Sequence, residues 1–332
     1  MRKFKAVILA GGNGERFWPL STPTRPKQFL RIFGKDSLLR QSVMRLRGLI
    51  VPEDVFVVTA AGLVEATRRE LPEVPPENVI AEPMRRDTAA AVALGVAAAS
   101  RTDPDATLGF FPADQLVTRP GRFRQALRRA RRISEREGSI VTLGIRPTGP
   151  ATRFGYVDPK HCRFVEKPDS RNAAKYLKQG FLWNAGMFIA TSETFRRVIG
   201  VHAPELVKVL ELKKDRQFSL KALMRIYTHL PRISFDFAVM EKIDNLAVVP
   251  GDFGWDDVGG YRAFEQHFTK DASGLVARGE VYAIESTGCT AVAEGVPISL
   301  LGVKDLVVVS TPEAVLVVAK DRVDEMKKLF AK

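Results

Sequence analysis

The sequence predicts an α/β fold: a doubly wound, mostly parallel, Rossmann-like sheet followed by a small C-terminal β-rich appendage of the β-helix-like kind. Two patterns and the chain length predict it. Short apolar runs alternate with segments of helical apolar period through the first half of the chain, and short strands at close spacing follow residue 271. The length of 332 residues is sufficient for one large domain with a smaller one attached.

The first half of the chain alternates between predicted strands and predicted helices. The apolar runs that we predict to be strands are residues 6–10, 55–59, 79–82, 108–113 and 140–145. Segments with helical period lie between them at residues 37–48, 63–71, 88–100 and 123–137. Parallel strands joined by right-handed helical crossovers form a sheet that binds ligands at the carboxyl ends of its strands. We therefore expect the functional side chains in loops that directly follow strands.

The second half is less regular and ends in short strands. Further strands are predicted at residues 163–166, 181–190 and 246–249, with helical stretches around residues 191–215 and 220–229. Short β-rich runs follow at residues 280–285, 290–293, 298–301, 306–310 and 314–319, and a helix is predicted at 321–330. These patterns predict a domain of residues 1–268 and a small β-rich domain of residues 269–332.

Composition indicates a globular protein of a reducing compartment. Hydrophobic residues make up 45% and charged residues 27% of the chain. The N-terminal apolar stretch is shorter than the roughly 7–15 residues of a signal peptide, and no run reaches the ~18 residues of a membrane span. Cys162 and Cys289 lie far apart without CxxC spacing. We expect a cytoplasmic location, no membrane contact, no disulfide and no thiolate metal site.

The formal net charge of +13 points to anionic partners. The densest basic patch, residues 119–136, holds eight arginines, which raises nucleic acid as a partner. These arginines alternate with apolar residues at helical spacing, so we favour the solvated face of an amphipathic helix and expect no nucleic-acid partner. Nucleic-acid binding through this patch stays as an alternative, and the general basicity also suits two small anionic substrates.

A glycine-rich loop directly follows the first predicted strand: the strand ends at Leu9 and Ala10, and the loop consists of Gly11, Gly12, Asn13, Gly14, Glu15 and Arg16. Glycines let backbone N–H groups approach phosphate oxygens closely, and the Arg16 guanidinium adds charge and paired hydrogen bonds. The dinucleotide fingerprint would need glycine in place of Phe17, and the loop lacks the Gly-Lys-Ser/Thr sequence of a P-loop. We interpret it as a phosphate-binding loop; an ordinary strand-to-loop turn is the alternative.

Lys27 is a second candidate cation. It follows Arg25 and the rigid Pro26, within reach of the same loop. A lysine here can neutralise charge that develops on a triphosphate during reaction. Taken singly, it would be a surface lysine.

A set of motifs carries a specific resemblance. The run Leu-Ala-Gly-Gly-x-Gly-x-Arg-x-Trp-Pro-Leu-Ser, followed by Pro-Lys-Gln-Phe-Leu, resembles the signature of mannose-1-phosphate guanylyltransferases, which are sugar nucleotidyltransferases. Later motifs agree with that family in order, at residues 82–83, 86–89, 111–114, 164–168, 183–188, 235–242 and 254–259. The resemblance covers residues 5–265.

This resemblance implies transfer of a nucleotidyl group from GTP to α-D-mannose 1-phosphate, with GDP-mannose and pyrophosphate as products and Mg²⁺ as cofactor. It implies catalytic roles for Arg16, Lys27 and Asp257, and Asp114 and Asp257 as metal ligands. Residues implied in nucleotide binding are Leu9, Ala10, Gly11, Gly12, Asn13, Gly14, Glu82, Pro83, Asp87, Thr88 and Asp114. Residues implied in sugar-phosphate binding are Gly155, Glu166, Lys167, Asn184 and Gly186. We also expect a monofunctional enzyme and a homodimer.

Chemistry supports these roles. Two carboxylates from separate loops can hold Mg²⁺ against phosphate oxygens, although either aspartate alone would pass for a helix cap or turn residue. Glu166 and Asn184 can bind sugar hydroxyls, while Lys167 can pair with the sugar's phosphate. The Glu82 carboxylate can accept hydrogen bonds from N1–H and N2–H₂ of guanine, an edge that adenine does not present.

Three positions depart from the family pattern. Glu15 stands where threonine is usual, Asp87 where asparagine is usual, and Gln115 where histidine is usual. One alternative function keeps the chemistry with another hexose or heptose 1-phosphate or another NTP. Another is a non-catalytic regulatory relative that binds a nucleotide sugar, against which the presence of both aspartates and both cations argues.

Overall fold

One large sheet carries the strands of the first half of the chain. The computed structural model describes residues 2–12, 14–212 and 219–330, and it divides into two compact units, the first of which comprises residues 1–11 and 39–256. The strands of this unit are β1 (Phe4–Ala10), β2 (Val55–Ala60), β3 (Val79–Glu82), β4 (Thr107–Pro112), β5 (Leu116–Val117), β6 (Ile140–Ile145), β7 (Tyr156–Val157), β8 (Phe164–Val165), β9 (Leu182–Thr191), β10 (Leu246–Gly251) and β11 (Trp255–Asp256).

The order across the sheet is β10-β6-β9-β4-β1-β2-β3, with β7 and β8 attached beside β9, while β5 and β11 form a separate antiparallel pair. β1 pairs in parallel with β2 on one side and β4 on the other, so the strand order reverses at β1. Ligands of doubly wound sheets bind at such switch points. β9 runs antiparallel to both β4 and β6. The predicted mostly parallel sheet is confirmed.

Helices cover this sheet. Those that precede residue 256 are α1 (Leu38–Met44), α2 (Val64–Glu70), α3 (Asp87–Ala99), α4 (Pro120–Glu137), α5 (Ser170–Lys178), α6 (Ser192–His202), α7 (Val207–Leu210) and α8 (Leu220–Tyr227). The helical stretch predicted around residues 191–215 is divided in the structure, because α6 ends before Pro204, which lacks a backbone N–H, and α7 follows from Val207. Asp215, the predicted end, lies outside the described residues.

α3 is buried from Ala89 to Ala99 and contributes to the main core of the unit. Its alanines let the helix approach the sheet closely. At Gly95 a Cβ would stand 2.6 Å from Val7 and 2.8 Å from Phe110, so even a methyl group would push the helix away. This packing fixes the N-terminal end of α3, where Asp87 and Thr88 lie.

The arginine-rich segment forms the predicted amphipathic helix, α4. It buries Phe123, Ala126, Leu127, Ala130 and Ser134. Several of its charges take acidic partners: Arg119 and Arg122 pair with Asp252, and Arg131 pairs with Glu135.

The second unit comprises residues 12–38 and 257–332. Its elements in the C-terminal segment are α9 (Arg262–His267), β12 (Val276–Arg278), β13 (Val281–Ile284), β14 (Thr290–Ala293), β15 (Ile298–Leu301), β16 (Leu306–Ser310) and β17 (Val315–Ala319). Parallel pairing joins β12 to β14, β14 to β16 and β13 to β15, without helical crossovers. The predicted β-rich, β-helix-like appendage is confirmed. The closing segment, Lys320–Leu329, is 3₁₀ helix.

Residues 12–38 thus fold with the C-terminal strands, which the sequence did not indicate. The division into domains 1–268 and 269–332 stays a prediction.

Within the described ranges, no helix combines the length and the apolar character that crossing a membrane demands.

Candidate functional site

Lys27 is buried in the second unit, at the start of a 3₁₀ turn, Lys27–Phe29, that follows Pro26. Its ammonium donates a hydrogen bond to the backbone carbonyl of Asp257 at 2.7 Å. Gly14 packs against it so closely that a Cβ there would stand 2.4 Å from Lys27 Cβ, and the φ of Gly14 is 67°. Both observations require glycine. The third glycine of the loop therefore serves to bring the loop onto Lys27.

The side chains of Arg16 and Asp257 both lie close to Gly259. A Cβ at Gly259 would stand 3.3 Å from Nη1 of Arg16 and 3.7 Å from Oδ2 of Asp257. The Tyr261 hydroxyl lies 2.9 Å from the carbonyl oxygen of Phe17, which follows Arg16, and so holds this turn in place. The three residues predicted to be catalytic are thus neighbours in the second unit.

Val258, next to Asp257, has a backbone φ of 50° and a fully buried side chain. A β-branched residue rarely adopts this left-handed conformation, because its side chain crowds the backbone. Such strain persists where the surrounding structure determines the position, often at functional sites. The strained backbone of Val258 therefore supports a functional role for the turn that contains Asp257.

The acidic residue of the loop, Glu15, is exposed and begins the 3₁₀ turn Glu15–Phe17. Arg16 is exposed as well. A Cβ at Gly12 would meet no atom within 4 Å, so packing does not demand that glycine. Asn13 lies outside the described residues.

In the first unit, the end of β1 adjoins Glu82. The carbonyls of Leu9 and Ala10 accept hydrogen bonds from the Ala113 amide at 3.0 Å and the Thr59 hydroxyl at 3.2 Å. A Cβ at Gly11 would have one near neighbour, Oε2 of Glu82, at 3.8 Å. The predicted base-reading carboxyl therefore lies beside the first glycine of the loop.

Glu82 is a buried carboxyl with a perturbed pKa. Its side chain ends β3, the residue is 7% exposed, and within the described part of the chain its Oε1 atom has no hydrogen-bond partner. Burial raises the pKa of Glu82 to about 7, although the Tyr227 hydroxyl and the charge of Arg85 oppose the shift. Buried carboxyls with such pKa values are common where a protein binds or transforms a ligand.

This pKa predicts a pH dependence of stability that Glu82→Gln removes. Raising the pKa from 4.5 to about 7 on folding makes the folded state bind more protons between those pH values, so stability falls as pH rises through them. Urea unfolding at pH 4.5 and pH 8 measures this dependence. Between these pH values, the free energy of unfolding of the unmodified protein should fall by up to about 3 kcal/mol more than that of Glu82→Gln. Parallel pH profiles of the two proteins would contradict the assignment.

Asp87 and Thr88 stand at the beginning of α3. Asp87 has a φ of 62°, and its Oδ1 accepts a hydrogen bond from the Thr88 amide at 2.7 Å. The Thr88 hydroxyl accepts from the Phe235 amide at 2.8 Å, so it holds the segment that begins with Asp236. Pro83 is partly exposed after β3.

Glu166 and Lys167 form an ion pair of 2.6 Å directly after β8. The φ of Lys167 is 42°, another left-handed backbone at a predicted site residue. Burial lowers the pKa of Lys167, but the hydrogen bond and charge of Glu166 outweigh it, so that the pKa is raised. A Cβ at Gly155 would stand 2.6 Å from Oε2 of Glu166. A side chain at this position would therefore displace the carboxylate from its present place.

Asn184, in β9, is held by hydrogen bonds at both ends of its amide. Its Oδ1 accepts from the Thr142 hydroxyl at 2.7 Å and the Gly186 amide at 3.0 Å. Its Nδ2 donates to Oδ1 of Asp236 at 3.0 Å. Since each primary amide carries two N–H donors, one remains, as far as the described residues show, to bind a hydroxyl.

Asp236 is a site residue to which the sequence assigned no role. It begins a π-helix, Asp236–Met240, a rare element that often marks functional sites. Burial, then the nearby charge of Glu166, raises the pKa of Asp236 to about 7, while Lys167 opposes the shift. Its position in the motif at residues 235–242 was the available signal, and its contact with Asn184 was not visible from sequence.

Asp114 follows β4 by two residues and is partly exposed. Beside it, the buried Arg45 donates to the carbonyls of Pro112 at 3.2 Å and Gln115 at 3.0 Å. Burial lowers the pKa of Arg45 to about 10, and the charge of Asp114 opposes that shift. Gln115 donates to the carbonyl of Ala185 and accepts from the Trp255 indole, both at 2.9 Å. This departure from the family pattern is therefore an internal tie within the first unit.

The predicted residues fall into two sets. Arg16, Lys27 and Asp257 meet in the second unit. The first unit contains Asp114, the Glu82 region and the sugar-phosphate set of Gly155, Glu166, Lys167, Asn184 and Gly186. Over the residues that the structure describes, no group of three or more His, Cys, Asp and Glu side chains is arranged to hold a metal ion.

Two family models match the chain. The nucleotidyl transferase model matches residues 5–274, and the MannoseP isomerase/GMP-like beta-helix domain model matches residues 279–332. Together they match both the large sheet and the short parallel strands described above.

Individual relatives agree. The mannose-1-phosphate guanylyltransferases of Escherichia coli and Klebsiella pneumoniae are each 34% identical to this chain over 97% of its length and 72% of theirs. A crystal structure described as mannose-1-phosphate geranyltransferase from Thermus thermophilus is 36% identical, with a TM-score of 0.87 over 99% of this chain and 98% of that one. The chain therefore belongs to the nucleotidyl transferase family.

Proposed function

We propose that the protein transfers the GMP moiety of GTP to α-D-mannose 1-phosphate, giving GDP-mannose and pyrophosphate. One observation carries this proposal. Arg16, the last residue of a loop of the phosphate-binding type, and Lys27 both lie beside Asp257. Relatives named mannose-1-phosphate guanylyltransferase, aligned over nearly the whole chain, support the choice of substrates.

The reaction is an in-line attack by a phosphate oxygen of the sugar phosphate on the α-phosphorus of GTP, which expels pyrophosphate. The attacking oxygen is already anionic near neutral pH, so no general base is needed. The protein must instead align two anions and stabilise the charge that develops at the α-phosphate. We assign that charge stabilisation to Arg16 and Lys27. The hydrogen bond from Lys27 to the Asp257 carbonyl holds the ammonium in one position, which lowers the reorganisation required during reaction.

We assign sugar recognition to the first unit. The carboxylates of Glu166 and Asp236 accept hydrogen bonds from sugar hydroxyls, and the remaining N–H of Asn184 donates one. Lys167 binds the sugar's phosphate, Gly155 leaves room beside Glu166, and the Gly186 amide helps to hold Asn184 by donating to its Oδ1. Asp236 also fixes the Asn184 amide, so that its donor has a defined direction.

We assign guanine recognition to Glu82, which lies beside Gly11. In its ionised form, the carboxylate accepts from N1–H and N2–H₂ of the base, and Oε1 has no competing partner among the described residues. Pro83, Asp87 and Thr88 shape this region, and we propose Leu9, Ala10, Gly11, Gly12, Asn13 and Gly14 as nucleotide-binding residues of the loop.

Enzymes of this family generally use a divalent metal ion. We propose Mg²⁺, held by Asp114 and Asp257. Two carboxylates suit this ion, because Mg²⁺ prefers oxygen ligands and usually retains waters and phosphate oxygens in its coordination shell. When bound, it supplies positive charge that neutralises phosphate oxygens.

One assay tests the function. The purified protein is incubated with Mg²⁺, each NTP and a panel of hexose and heptose 1-phosphates, and pyrophosphate release is measured. We expect GTP with mannose 1-phosphate to exceed every other pair by at least about tenfold in kcat/KM. Turnover of a different pair with none for this one would overturn the substrate assignment. Binding of GDP-mannose without turnover of any pair would instead favour the regulatory relative.

Two further predictions accompany this function. A homodimer is supported by exposed apolar side chains on β13 and β15, where Tyr282 is 58%, Ile284 64% and Leu301 71% exposed. A cytoplasmic location remains a prediction from the sequence.

A further inference from the structure

The C-terminal strands of the second unit contact the segment that contains Lys27, residues 22–33, which we call the Lys27 segment. β12 and β14 are parallel neighbours, with Arg278 opposite Val292. Arg278 is the last residue of β12, and Glu294 directly follows β14. Two charged side chains therefore lie at the carboxyl ends of neighbouring strands.

Arg278 forms the stronger of the two contacts. Its Nη1 donates to the backbone carbonyl of Ile32 at 3.1 Å, and its Nη2 donates to that of Arg31 at 2.5 Å. The planar guanidinium thus binds two consecutive peptide carbonyls with its two terminal nitrogens, which fixes direction as well as distance. The side chain is partly buried. The C-terminal end of the Lys27 segment is consequently attached to β12.

Glu294 holds the other end. Its Oε2 lies 3.1 Å from Nη1 of Arg25, two residues before Lys27. Both side chains keep contact with solvent, with exposures of 46% for Arg25 and 24% for Glu294, so this ion pair contributes less than a buried one.

The five residues between these contacts, 26–30, have little freedom left. Pro26 restricts the backbone, and the Leu30 amide closes the 3₁₀ turn by donating to the Lys27 carbonyl at 3.0 Å. From this backbone position the Lys27 ammonium donates to the Asp257 carbonyl at 2.7 Å. A shift of the segment would therefore move the ammonium.

We propose that Arg278 and Glu294 are positioning residues for Lys27, so that the C-terminal strands take part in the chemistry by fixing the catalytic cation. This inference rests on the proposed function. Neither residue touches a substrate in it, and the effect of each passes through Lys27. The C-terminal β unit then serves the reaction as well as any assembly of subunits.

Arg278→Met tests this role, since methionine keeps an unbranched apolar stem without the donors. We expect kcat to fall about 10- to 100-fold, because a displacement of about 1 Å in a positioned group has effects of this size. KM for both substrates should change less, since the cation acts mainly on the transition state. Arg278→Lys, which retains one donor, should recover part of the loss. Arg322→Met, which removes an exposed arginine paired with Glu325 in the same unit, is the matched control and should leave kcat unchanged.

A double-mutant cycle separates positioning from general damage. In a Lys27→Met background, Arg278→Met should have little further effect on kcat, because the group that it positions is absent. Multiplying effects, with an equal loss in both backgrounds, would overturn the proposal.

Hydrogen exchange gives a readout that needs no turnover. Arg278→Met should raise amide exchange at Phe29 and Leu30, with the sheet of the first unit unchanged. Unchanged exchange in these amides would overturn the proposal even if the proposed substrates were wrong. Conversely, if only another substrate pair reacts, the cycle is measured with that pair, so failure of the proposed function and failure of this inference give different results.

Discussion

Asp257→Asn is expected to lower kcat by at least about 1,000-fold with GTP and mannose 1-phosphate. Asparagine matches aspartate in shape and removes the negative charge that a divalent cation requires. The backbone carbonyl of Asp257 remains available to Lys27, so the turn should keep its geometry. Initial rates of pyrophosphate release over a range of Mg²⁺ concentrations measure the effect, and the variant should need more Mg²⁺ for half-maximal activity.

The matched control for this variant is Asp252→Asn. Asp252 lies in the same stretch of chain and is 71% exposed, and it forms surface ion pairs with Arg119 and Arg122. Its replacement should leave kcat unchanged and alter stability by at most about 1 kcal/mol. If Asp257→Asn keeps more than about a tenth of normal turnover, with an unchanged Mg²⁺ requirement, Asp257 is not a metal ligand.

Lys27→Met is expected to lower kcat by about 100- to 1,000-fold, since one preorganised charged donor typically contributes this much to a transition state. Methionine keeps most of the buried stem that packs against Gly14, so loss of folding should not account for the effect. Steady-state rates give kcat and KM, and thermal unfolding confirms that the variant is folded.

Lys35→Met serves as the control for this substitution. Lys35 is exposed and belongs to the same unit, and we assign it no role in the reaction. Normal turnover in Lys27→Met would remove the cation from the mechanism. A large loss of turnover in Lys35→Met would show that removing any lysine of this unit lowers activity, so the effect of Lys27→Met would not be specific.

Local signals predicted the elements of the fold well. The runs 79–82 and 140–145 form strands with those bounds, because apolar residues there are flanked by residues that interrupt strands. The direction of β9 was not predictable, since a buried strand has the same apolar pattern whether its neighbours are parallel or antiparallel. The grouping of residues 12–38 with the C-terminal strands depends on contacts between distant parts of the chain.

The candidate site also has a part that was predictable from sequence and a part that was not. Glu82 and Asp114 were predictable because they end or follow a strand, and the resemblance named them. The tie between Asn184 and Asp236 joins residues 52 positions apart, and that between Thr142 and Asn184 joins residues 42 apart. No local period or spacing encodes such contacts. Only the structure therefore revealed that the side-chain oxygen of Asn184 already accepts hydrogen bonds within the protein.

The hydrogen bond between Lys27 and the Asp257 carbonyl spans 230 positions of the chain. Lys27 therefore leaves the ribosome well before Asp257 and the strands that complete its unit. Loops of this length close slowly, since distant segments must find each other before any contact stabilises them. During translation, the large sheet can therefore form first, while residues 12–38 wait for the C-terminal strands. Catalytic competence should then appear only after these C-terminal strands have been synthesised.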